Sequence, residues 1–182
     1  LARSMLLARF RTALLLLGIL VLVLWLDEQL VPYFPFWFAL AVLLMGQAAR
    51  EIVNLLNVTS ARPSGNTVIG GVMALIVANW GPHVTAALLG GPDRAVMGGY
   101  DPTSPFTALA WPMWAFVSVV MVAFIAQSVQ FRAPGVTMST LSGTVLAITY
   151  VGLLGSFVLQ FRWLSPQFGI LPLAMLVATA KG

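Results

Sequence analysis

The chain has 182 residues, of which 60% are hydrophobic and only 8% are charged. A soluble domain of this size usually carries about a quarter of its residues as charges, so a water-facing shell is excluded and a lipid bilayer is the expected solvent. The absence of cysteine excludes disulfides and thiolate metal sites, and the net charge of +4 is assigned to loops facing anionic lipid rather than to nucleic acid, because no basic run exceeds a few residues.

The first apolar block, Thr12–Leu26, follows Arg3, Arg9 and Arg11. It resembles a secretory signal, but it ends in Trp25-Leu26-Asp27-Glu28 instead of a small-residue cleavage site, so it reads as a retained first helix. Asp27 and Glu28 are expected at the interface. Leu1 in place of Met suggests that the natural start lies upstream. The second block, Pro35–Ala49, continues through Arg50, and Arg50 and Glu51 read as a solvated pair where the helix leaves the membrane. Asn57-Val58-Thr59 matches a glycosylation sequon, but its expected cytoplasmic side makes the match accidental.

Ala61-Arg62-Pro63-Ser64-Gly65-Asn66 is a turn cluster separating the second block from the third, Thr67–Trp80. Asn79, Pro82 and His83 lie at the third block's end; one histidine without carboxylate or imidazole neighbours reads as structural, not metal-binding. Gly90-Gly91-Pro92-Asp93 opens the longest loop, which runs to about Pro105. Phe106–Ala126 is the fourth block and carries Trp111, Pro112 and Trp114 near its start. These rings, with Trp25, Tyr33, Trp37 and Trp163, are expected to anchor at headgroup level. Arg132-Ala133-Pro134-Gly135 is a further break. In the fifth block, Gly143–Gln160, a polar and small-residue face runs through Thr149, Gly152, Ser156 and Gln160, with Ser142 one residue ahead of the block. Such a face suits a helix-packing seam or, alternatively, a polar wall for a lipid headgroup. The sixth block is Phe168–Ala180.

The expected fold class is therefore all-α: a polytopic transmembrane helical bundle of five to six spanning helices, one domain over 1–182. The basic residues fix the expected orientation. With the N-terminus cytoplasmic, the inner segments hold Arg3, Arg9, Arg11, Arg50, Arg62, Arg132 and Lys181, and the outer ones only Arg94 and Arg162. No Walker-type phosphate loop, no His-Glu-x-x-His and no Gly-x-Ser-x-Gly is present. No block carries an acid near its middle, which speaks against an ion-coupled transporter.

Several short segments stand in a familiar order. Leu22-Val23-Leu24-Trp25-Leu26-Asp27-Glu28 precedes Phe34-Pro35-Phe36-Trp37-Phe38, and Ala48-Ala49-Arg50-Glu51 follows. Tyr150-Val151-Gly152-Leu153-Leu154-Gly155-Ser156-Phe157 leads to Gln160-Phe161-Arg162, then to Gly169-Ile170-Leu171-Pro172-Leu173 and Ala180-Lys181-Gly182. Together they resemble the N-terminal membrane portion of the bacterial phosphatidate cytidylyltransferases, or CDP-diacylglycerol synthases. The resemblance is patchy along most of the chain and clearest over Tyr150–Phe157.

The resemblance implies a multi-pass protein of the bacterial inner membrane acting in phospholipid biosynthesis, with CTP and phosphatidic acid as substrates and CDP-diacylglycerol and pyrophosphate as products. It implies Mg²⁺ as cofactor. The family's acidic and Ser/Lys-rich signatures lie downstream of the position matching Gly182, so the chain is expected to be an N-terminal fragment, inactive alone, with its catalytic and metal-binding residues beyond Gly182. Arg50, Ser156 and Gln160 are the candidates for the substrate cavity. The oligomeric state stays open, a homodimer included. The alternative is a complete small multi-pass protein serving as a transporter subunit or assembly factor; a lipid-linked kinase or other transferase on a similar scaffold is a third reading.

Overall fold

The computed structural model describes residues 18–19, 21–30, 33–88, 105–131 and 133–164. Among these residues there are helices and turns and no strand. A helical segment over 21–28 leads to α1 (Pro35–Asn57), then α2 (Gly65–Leu88) and α3 (Pro105–Val129). Next come α4 (Pro134–Ala147), a π-helical turn (Ile148–Leu153) and α5 (Leu154–Leu164), which follow one another without a break. Among the described residues four stretches are long and apolar enough to cross a membrane: Pro35–Asn57, Gly65–Thr85, Leu109–Val129 and Pro134–Gln160. The Thr12–Leu26 block is described only in part and Phe168–Ala180 not at all, so the first and sixth expected spans lie outside the described residues.

Proline starts two of the helices. Pro35 opens α1 and Pro134 opens α4, the latter after an extended Ala133. At the first helical position proline's missing N–H would have had no partner anyway, and its φ is already helical. Pro82 and Pro112, by contrast, sit inside α2 and α3. In a membrane helix the freed carbonyl can be satisfied locally, so the helix continues. At the other end of α1, Thr59 Oγ1 donates to Leu56 O at 2.6 Å and accepts the Ala61 N–H at 3.1 Å, which turns the chain toward α2. The sequon threonine is thus a helix-end residue.

The packing centre is α2. Half of its 21-residue apolar span is buried, against 11% for α3. Val68, Val72, Leu75, Ile76, Asn79, Trp80 and His83, at spacings of three and four, form its buried face. Many apolar side chains of α3, including Val117, Met121 and Ile125, are exposed, as expected of a surface bathed in acyl chains, while Ala123 is buried. Helices in lipid gain little from the hydrophobic effect on meeting each other, so close contact must come from shape. Gly152 supplies it: a Cβ there would lie 2.5 Å from Leu75 Cδ1. Gly143 does the same for the turn after α1, where a Cβ would lie 2.8 Å from Ala61 O.

α1 and α2 run antiparallel, and α4 starts beside the turn that joins them. Trp80 Nε1 donates to Tyr33 O at 2.9 Å, joining the end of α2 to the entry of α1. Ser139 Oγ donates to Ser60 O at 2.8 Å, and the Ser64 N–H donates to Thr144 Oγ1 at 3.0 Å, joining α4 to the α1–α2 turn at the opposite end. One face of the bundle therefore carries Pro35 and Leu164, and the other carries Asn57 and Pro134.

Candidate functional site

Two polar constructions lie on the half of the bundle nearer Pro35. The first joins α2 to α5. Asn79 Nδ2 donates to Leu75 O at 2.7 Å and to Ser156 Oγ at 2.8 Å. Ser156 Oγ passes its own proton to Gly152 O at 2.8 Å. Gln160 Nε2 donates to Asn79 Oδ1 at 2.9 Å and to Asn79 O at 3.4 Å. His83 Nε2 stands 3.3 Å from Gln160 Oε1, a contact that requires the proton on Nε2. All four residues are buried.

The local reason is helical periodicity on both strands of the seam. Asn79 and His83 are four apart on α2, and Ser156 and Gln160 are four apart on α5. Each pair therefore points the same way. The π-helical turn ends just before Leu154, and widened turns of this kind re-aim the residues that follow.

The chemistry available to this network is limited. Both Asn79 amide protons are used inside the protein, and the Ser156 proton is held by a backbone carbonyl. His83 reaches Gln160 and not Ser156, so no nucleophile–base pair forms. A network of this kind holds helices in register.

The second construction is at the entry to α1. Asp27 is fully buried, and its carboxylate accepts the Phe36 N–H at 2.9 Å and the Trp37 N–H at 2.7 Å. Those N–H groups belong to the first turn of α1, whose own cap residue, Phe34, offers no side-chain bond. Asp27 thus serves as a remote N-cap, and its negative charge complements the helix dipole. Phe34 adopts φ 43°, ψ 55°, a left-handed conformation that is costly for a residue with a Cβ. Its ring is buried and carries the Arg162 guanidinium, whose carbon lies 4.5 Å from the ring centroid.

Ser156 and Gln160 therefore come together, through Asn79. Arg50 does not join them: it is exposed on α1 toward the opposite face. Glu51 beside it is exposed as well. Ser142, expected on the same polar face, is exposed and bonds Ser139 O, while Thr149 bonds Val145 O, both within their own helix. Asp27 is buried in the protein, while Glu28 is exposed. Trp37, read as a headgroup anchor, is buried under the α1 entry; Trp25, Tyr33, Trp111 and Trp114 are exposed. Asn79 and Arg162 were not singled out for a site from the sequence. The distance pattern of Asn79 with Ser156 is invisible without knowing which helices touch.

An open groove of about 440 Å³ lies between α2 and α3, lined by residues including Asn66, Thr67, Gly70, Ser118 and Val122. Its lining has no ionisable side chain and includes none of the three sequence candidates. Among the described residues no group of three His, Cys, Asp or Glu side chains could hold a metal.

Comparison of the chain with protein-family models, with curated proteins and with solved structures finds no match.

Proposed function

We propose that this chain is the N-terminal membrane scaffold of a phosphatidate cytidylyltransferase in a bacterial inner membrane. In the parent reaction a phosphate oxygen of phosphatidic acid attacks the α-phosphorus of CTP, forming CDP-diacylglycerol as pyrophosphate leaves. Mg²⁺, when bound, neutralises charge on the phosphates and aligns the displacement. Its carboxylate ligands belong to the part of the enzyme downstream of Gly182. The role of the present residues is to hold a lipid-facing bundle against that catalytic part.

The observation that carries this reading is the location of the segment most similar to the family. Tyr150–Phe157 spans the π-helical turn and the start of α5, where Gly152 meets Leu75 and Ser156 meets Asn79. A chance run of apolar residues has no need to place a glycine and a serine at close contacts between helices. The uncharged groove between α2 and α3 is compatible with acyl chains, in keeping with a lipid substrate.

The second reading, a complete small membrane protein acting as an assembly factor or transporter subunit, draws on the Asn79–Ser156–Gln160 network, which offers no free catalytic group. One assay separates the two. Membranes expressing the full open reading frame, including the codons after Gly182, receive radiolabelled CTP, phosphatidic acid and Mg²⁺. Label is expected in the lipid fraction, dependent on phosphatidic acid and lost with chelator, while the 182-residue chain alone gives none. No lipid label from the full frame, or robust label from these 182 residues, contradicts the enzyme reading.

A further inference from the structure

Arg162 is 8% exposed, and its Nε is buried with no hydrogen-bond partner. It sits in the last turn of α5 with its guanidinium against the Phe34 ring. A buried arginine left without a counter-charge is strongly disfavoured. The helix C-terminus offers only about half a charge, spread over several carbonyls. The aromatic face attracts the cation but accepts no in-plane N–H bond.

Among the described residues no carboxylate fills the gap. Asp27, at the same end of the bundle, accepts the Phe36 and Trp37 N–H groups and makes no ion pair with Arg162. Glu28 is exposed, and Glu51 lies toward the opposite face of the bundle. The guanidinium presents parallel N–H donors in its plane, a geometry that matches carboxylate or phosphate oxygens. Its height in the membrane is marked by exposed Trp25 and Tyr33, the ring types that settle at headgroup level. The anion abundant at that height is the lipid phosphate.

We propose that Arg162, held flat on Phe34, binds the phosphate of an anionic phospholipid headgroup at the membrane face that carries Pro35 and Leu164. The site is independent of the cytidylyltransferase reading. Under the orientation expected from the basic residues it lies on the face away from cytosolic CTP, so it holds a structural lipid and not the substrate.

The test uses the chain purified in a neutral maltoside detergent and three probes: phosphatidylglycerol, phosphatidylcholine and inorganic phosphate. Native mass spectrometry reads affinity, and thermal unfolding reads stabilisation. Phosphatidylglycerol is expected to bind saturably and raise Tm, more tightly than phosphatidylcholine, and inorganic phosphate at equal concentration is expected not to displace it. Arg162→Gln should weaken phosphatidylglycerol binding by about tenfold or more and abolish the Tm rise. Arg162→Lys, which keeps the charge but loses the fork, should fall between the two. Asp93→Asn/Asp101→Asn, which removes the two acids of the long loop, should bind like the parent chain. Equal phosphatidylglycerol affinity in the parent chain and Arg162→Gln overturns the proposal. So does equal binding of phosphatidylcholine, or displacement by inorganic phosphate. Tighter lipid binding in the Asp93/Asp101 variant also overturns it, because the counter-charge is then a loop carboxylate. If Arg162→Gln does not fold, Arg162→Lys carries the same decision: affinity equal to the parent chain overturns the bidentate site.

Discussion

Asn79 is the residue on which the α2–α5 seam turns. It gives both amide protons and takes one from Gln160, so its loss removes one of the hydrogen bonds of each of the buried Ser156 and Gln160 side chains. Buried unsatisfied groups cost about 1–3 kcal/mol in water-soluble proteins. In membrane proteins the coupling measured between interhelical partners averages only about 0.6 kcal/mol, with a maximum near 1.7, because the unfolded helices also find partners. The smaller scale applies here. A double-mutant cycle of Asn79→Ala and Gln160→Ala, read by reversible unfolding in detergent, should give a coupling of about 0.5–1.5 kcal/mol. Purely additive effects would mean that the two side chains do not depend on each other. Asp27 makes a separate prediction. Asp27→Ala removes the cap of α1 and should destabilise by about 0.5–2 kcal/mol, while Asp27→Asn, which keeps one carbonyl oxygen, should lose less. Equal stability of all three proteins would remove the remote cap from the account.

At the scale of elements, the bundle depends on where α4, the π-helical turn and α5 approach their neighbours. Glycine-to-alanine changes at three places should differ in sign. In a helix alanine is better than glycine by up to about 1 kcal/mol. Gly70 faces open space, with nothing within 4 Å of an added Cβ, so Gly70→Ala should be neutral or stabilising. At Gly143 the added Cβ meets a backbone carbonyl at 2.8 Å, which cannot move without shifting the turn, so Gly143→Ala should destabilise by about 1–3 kcal/mol. Gly152→Ala meets the buried end of Leu75 and should fall in between or match it. Thermal unfolding of the three variants checks the order; destabilisation by Gly70→Ala equal to that of Gly143→Ala would contradict the packing described. The elements themselves are largely readable from the chain. The apolar blocks over 35–49, 67–80 and 106–126 fall inside α1, α2 and α3, and 143–160 falls inside the continuous run from α4 to α5. Pro35 is readable as a helix start because that position needs no N–H. Pro82 and Pro112 are not readable as interior residues, since whether a proline ends a helix depends on what satisfies the freed carbonyl. The site is less legible still. Asn79 and Ser156 are 77 residues apart, and Asp27 acts nine and ten residues downstream across a turn. No periodicity within one helix reports such partnerships, which explains why Ser156 and Gln160 emerge as a polar face while their partner on α2 does not, and why Arg50 is grouped with residues on the far side of the bundle.

The whole molecule is a set of helices with lipid-facing flanks, a small polar seam and two differently charged faces. Arg50 and Arg62 lie toward the face that carries Asn57, while the buried Arg162 lies at the other. Exposed cations favour the cytoplasmic side, so the expected orientation places the Asn57 face toward the cytoplasm. That orientation is what the enzyme reading requires, because a chain that continues on the wrong side could not meet CTP. The absence of cysteine makes the orientation directly measurable with single introduced thiols. Gln29 is exposed at the Pro35 face, and Ser60 is exposed in the turn after α1. In intact spheroplasts a membrane-impermeant maleimide should label Gln29→Cys, and should reach Ser60→Cys only after the membrane is permeabilised. Labelling of Ser60→Cys alone, or of both variants in sealed cells, would contradict a membrane-crossing bundle whose α1–α2 turn faces the cytosol.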